Sequence, residues 1–143
     1  MERYPKCFPD NFETAILPKE AKKENKRVYR IIKYGIDNRD SYVGTYEEMC
    51  KGLIPRKKRI DLTDPSLYST SCNIEYDEAE YVLDIMMRHH PKAVIAMGET
   101  EGKCGPCQLT ANREPDNHSS HVDWWIYEDA EPQKYFQEVA DNE

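Results

Sequence analysis

The sequence predicts an α+β fold: a single domain with a small mixed or antiparallel sheet and a few packed helices. Three observations point there. A chain of 143 residues is long enough for one core and too short for two. Its apolar runs switch between strand-type and helix-type patterning in the order β-α-β-α-β-β-α. It also carries ten Tyr and two Trp, which disordered chains lack. Leu, Ile, Val and Phe make only 25 of the residues and the net charge is -7. A core this poor in aliphatics leans on amphipathic rings, which keep a polar end at a surface or cleft.

Residues 1–27 hold Pro5, Pro9 and Pro18 around small apolar islands such as Phe12 and Ile16, and read as an irregular N-terminal arm with one helical turn. The α+β domain then spans 28–143. Val28 to Tyr34 is β-branched and aromatic and stops at Gly35, a strand. Thr45-Tyr46-Glu47-Glu48 has the form of a capping box opening a short helix that Gly52 ends. Leu67 to Cys72 is β-capable. Asn73 reads as the N-cap of the clearest helix, with Ala79, Val82, Leu83 and Met86 on one face and Pro91 beyond its end. Lys92 to Met97 reads as a buried strand and residues 98–120 as a polar connection. His121 to Tyr127 alternates into another strand, and Pro132 opens a terminal helix carrying Tyr135, Phe136 and Val139 on one side. Alternation sends Trp124 and Trp125 to opposite faces, one into the core and the other toward solvent, a partner or a ligand.

The net charge hides a split. Residues 1–60 carry +6 and residues 61–143 carry -13. Nucleic-acid binding through the overall field is disfavoured, since phosphate neutralisation needs clustered cations. No stretch approaches the ~20 apolar residues of a membrane span. The N-terminus lacks the apolar region of a secretory signal, and five Cys without export imply reduced thiols, so a cytoplasmic protein is expected.

Three groups of residues carry candidate chemistry. Arg30 sits on the first strand and offers a planar donor fork suited to a diphosphate or a ribose edge. Ser69 and Ser71 point to one strand face with Thr70 opposite, and Glu99-Thr100-Glu101 follows a later strand. This order resembles the arginine / Ser-Thr-Ser / Glu-x-Glu pattern of the mono-ADP-ribosyltransferases. The resemblance implies an NAD-binding cleft and transfer of ADP-ribose to a macromolecular acceptor. Arg30 would hold the dinucleotide, with Ser69, Thr70 and Ser71 shaping the pocket and Tyr29 or Tyr68 stacking on nicotinamide. Glu101 would stabilise an oxocarbenium-like state, as carboxylates do in glycoside hydrolysis, and Glu99 would address the acceptor. Glu128 is a rival for the acidic position, because Glu101 is followed by Gly-Lys-Cys-Gly-Pro-Cys and not by an obvious strand.

The second group is Cys104-Gly105-Pro106-Cys107 followed by His118 and His121. Two thiolates and two imidazoles suit tetrahedral zinc; a Cys-Gly-Pro-Cys dithiol is the redox alternative. The third, the run His118 to Asp123, sets histidine beside hydroxyls and a carboxylate, yet triad partners must meet in space, and no Gly-x-Ser-x-Gly elbow exists. Nor is there a P-loop or a Gly-x-Gly-x-x-Gly fingerprint. Two further readings stand beside the transferase: a non-catalytic acidic protein of the immunity or inhibitor type that masks a basic partner, suggested by the -13 half, and a zinc-stabilised interaction module.

Overall fold

A computed structural model describes residues 2–139. Its centre is one six-stranded sheet in the order β4-β5-β2-β1-β3-β6, with every pairing antiparallel. The strands are β1 (Arg27–Ile32), β2 (Thr70–Asn73), β3 (Val94–Glu99), β4 (Cys107–Leu109), β5 (His121–Trp124) and β6 (Phe136–Glu138). Helices α1 (Thr45–Cys50) and α2 (Tyr76–Met86) complete it, so the expected α+β class is the observed one. Among the described residues no helix is long and apolar enough to cross a membrane. The first residue of the expected arm and the last four of the expected domain lie outside the described residues.

Each sheet face buries its own apolar set. Alternation along β1 puts Val28 and Ile32 with Cys72, Ala96, Val122, Trp124 and Phe136 on one side. On the other, Ile31 and Ile95 meet Ala79, Val82, Leu83 and Met86 of α2, the face that the helical spacing predicts. A third cluster joins Phe8, Phe12 and Ile16 of the arm to Tyr68 and Trp125. The arm makes one wide helical turn, Phe12–Ile16. It then exchanges two backbone hydrogen bonds with Cys107, Lys22 N to Cys107 O at 3.0 Å and Cys107 N to Lys22 O at 2.8 Å, which covers the open edge of β4.

Several local expectations are corrected. Gly44, not Thr45, is the N-cap of α1, and no side chain caps it. A Cβ on Gly44 would lie 2.3 Å from the Ser69 carbonyl oxygen, so only glycine lets α1 begin this close to β2. Asn73 ends β2, paired with Tyr29 and His121, and Glu75 precedes α2 instead. Residues 65–68 form a single turn before β2, and the 98–120 connection contains β4. The expected terminal helix is a turn, Pro132–Tyr135, followed by strand β6. Tertiary packing overrides the helical spacing there: Phe136 meets Tyr42 and Trp124 in the core, with ring centroids 5.4 and 6.0 Å away. Trp124 and Trp125 are both fully buried. Neither ring meets solvent as one of the two was expected to, because the arm cluster covers Trp125.

Candidate functional site

The site begins where β1 and β2 part. Their register contains one pair, Tyr29 opposite Asn73. Beyond it the Arg30 guanidinium takes over, donating to Ser71 O at 2.9 Å, Ser41 O at 3.2 Å and Val43 O at 3.2 Å. Three of its five N–H groups are thereby used on backbone carbonyls, and the side chain is buried. Arg30 is a strut between the strands, with two N–H groups left over. A cleft of about 310 Å3 opens at this point, lined by Tyr29, Arg30, Ser69, Ser71, Glu48 and His121 among others. Glu48 is paired with Lys33 in a buried ion pair.

Sequence-predicted residues divide sharply here. Tyr29, Arg30, Ser69 and Ser71 come together in the cleft. Thr70 turns away and donates to Tyr42 O at 2.6 Å. Tyr68 is buried in the arm cluster, its hydroxyl donating to Leu62 O at 2.7 Å. Glu99 ends β3 opposite Arg27, and Glu101 accepts from Asn25 Nδ2 at 3.2 Å. Glu128 accepts from the Lys6 amide at 3.3 Å and pairs with Arg3 at 3.5 Å. None of these three carboxylates lines the cleft.

The four expected zinc ligands are also dispersed. Among the described residues no group of three or more His, Cys, Asp or Glu side chains could hold a metal ion. Cys104 and Cys107 are buried. Burial pushes the Cys104 thiol up to about 11 and raises Cys107 as well, which opposes the thiolate that redox chemistry needs. The Gly-Pro between them does structural work: Gly105 O accepts from Trp124 Nε1 at 3.1 Å, and Pro106 O from the Trp125 amide at 2.9 Å.

His121 belongs to a different constellation. On β5 it shares a face with Asp123, two residues on. The Asp123 side chain is wholly buried and accepts from Ser69 Oγ at 2.6 Å, Thr110 Oγ1 at 2.8 Å and Arg113 Nη2 at 2.8 Å. Ser66 Oγ adds a longer contact at 3.4 Å. Thr110 Oγ1 also lies 2.5 Å from His121 Nδ1. The imidazole is 24 % exposed. It stands between the cleft and a wider groove of about 640 Å3, which adds Thr110, Asp77, Glu78 and Tyr81. Thr110 and Arg113 carry no sequence signal as site residues, and Asp123 entered only within the His118–Asp123 run. The one local signal for Asp123 is the His-x-Asp alternation on a strand.

The chain has no match among protein-family models, curated proteins or solved structures.

Proposed function

We propose that the chain binds an NAD-type dinucleotide at the parting of β1 and β2 and transfers its ADP-ribosyl group to a macromolecular acceptor. One observation carries this reading: Tyr29, Arg30, Ser69 and Ser71, from the Arg / Ser-Thr-Ser pattern, line one cleft. Its volume of about 310 Å3 falls at the small end of ligand pockets and suits one nucleoside half of the dinucleotide. Arg30 frames the cleft, with its two remaining N–H groups for the ligand. Tyr29 offers a ring for stacking. Glu48 replaces Glu101 as the carboxylate within reach, since it lines the cleft and Glu101 does not.

Calorimetric titration with NAD tests the reading through two variants. Ser71 has an exposed side chain at the cleft, so Ser71→Phe fills the cleft and abolishes binding without lowering the melting temperature appreciably. Glu101→Gln binds as wild type. No saturable heat from the wild-type protein, or undiminished binding by Ser71→Phe, would overturn it.

A second reading is a non-catalytic acidic protein that masks a basic partner. It is favoured by Tyr81, which is 69 % exposed and shares the wider groove with Asp77 and Glu78. Affinity for a polycationic peptide that falls steeply with salt and is lost in Tyr81→Ala, with no response to NAD, would favour it over the transferase.

A further inference from the structure

We infer that His121 is the proton acceptor between the cleft and the wider groove, and that Thr110 and Asp123 are positioning residues that fix its tautomer. The assignment follows from who can donate. An ionised carboxylate only accepts, so the Thr110 hydroxyl gives its hydrogen to Asp123 Oδ2 across 2.8 Å. Thr110 Oγ1 then faces His121 Nδ1 at 2.5 Å with lone pairs only, which requires a hydrogen on Nδ1. In the neutral imidazole the other nitrogen, Nε2, is left as a bare acceptor, and the ring lines both cavities. Asp123 itself is steadied by Ser69 and Arg113, which come from opposite flanks of β5. The set therefore works as a carboxylate–hydroxyl–imidazole relay, with Asp123 Oδ1 itself 3.9 Å from His121 Nδ1.

The role in chemistry rests on the transfer reading. There the bond from ribose C1′ to the nicotinamide nitrogen breaks and its electron pair leaves with nicotinamide. The acceptor's lone pair forms the new bond to C1′, and the acceptor's proton passes to His121 Nε2. The resulting imidazolium donates from Nδ1 to Thr110, whose hydroxyl remains bonded to Asp123.

Side-chain 15N–1H correlation spectra of the labelled protein, recorded about 1.5 pH units above the ordinary histidine pKa of about 6.5, test the assignment without any nucleotide. The expected result is a protonated Nδ1 and an unprotonated Nε2 for His121. Thr110→Ser retains that pattern, because the hydroxyl is kept. Thr110→Val removes it and gives mixed or reversed tautomers. A protonated Nε2 in the wild-type protein, or a Thr110→Val spectrum identical to wild type, would overturn the proposal. Because these spectra need no NAD, a failed calorimetric titration sinks the transfer reading separately.

Discussion

Arg30 shows how one side chain changes meaning once its partners are known. As a residue on a strand it suits phosphate recognition; in place, its guanidinium reaches three carbonyls from two separate segments. Lysine cannot reproduce that fork. Arg30→Lys should therefore lower unfolding free energy by ~2–3 kcal/mol, the scale of hydrogen bonds to charged groups, measured by urea denaturation. A change under about half a kcal/mol, the usual scatter for surface substitutions, would contradict the strut. Gly105 makes a second case. Its φ is 147°, and a Cβ there would meet Trp125 O at 1.9 Å. Gly105→Ala forces that backbone apart and should leave little soluble folded protein, read by expression yield and near-UV circular dichroism. Recovery of a protein as stable as wild type would show that the turn is not tight.

At the scale of elements, the arm decides more than its irregular sequence suggests. Phe8 and Phe12 stack edge-on against Tyr68, with centroids 5.0 and 5.1 Å apart, and the same cluster seals Trp125. Phe12→Ala should cost ~3–5 kcal/mol, as for other large-to-small core changes, and should make Trp fluorescence more accessible to acrylamide quenching. Unchanged stability and quenching would mean that the arm is dispensable. α2 was legible because its periodicity and burial agree. β6 was not, since its three residues follow a Pro-led turn and take strand form only by pairing with β3.

Across the whole molecule, a few contacts reach from the basic first part of the chain to the acidic remainder, while among the described residues the ion-paired lysines of the first part find their partners within it. Arg3 meets Glu128 and Asp129, Asn25 holds Glu101, and Arg39 donates to the Tyr127 and Ala130 carbonyls at 3.2 and 3.0 Å. The aromatic, thiol-rich core also sets an alkaline limit. Burial pushes the Cys72 thiol from 9.0 up to about 12 and Tyr42 from 10.0 to about 12, and Cys104 from 9.0 to about 11. In the unfolded chain these groups ionise near their ordinary values, so between those values and the folded ones the native state binds more protons. Their contribution is fully present below about pH 9 and is lost as pH rises toward 11–12. The urea midpoint should thus fall between about pH 8 and pH 10.5; a flat midpoint over that range would contradict the burial.

The sequence by itself determined the α+β class, a strand from Val28, which in place ends at Ile32 and not at Tyr34, and the apolar face of α2, because each follows from short-range alternation or helical spacing. The grouping of Arg30 with Ser69 and Ser71 came only from the family resemblance. Only the tertiary structure decided what surrounds Asp123. Asp123 draws its partners from positions 10, 13, 54 and 57 residues away in the chain. No local pattern encodes such a meeting, because a buried charge is satisfied by whatever donors the folded sheet brings to it.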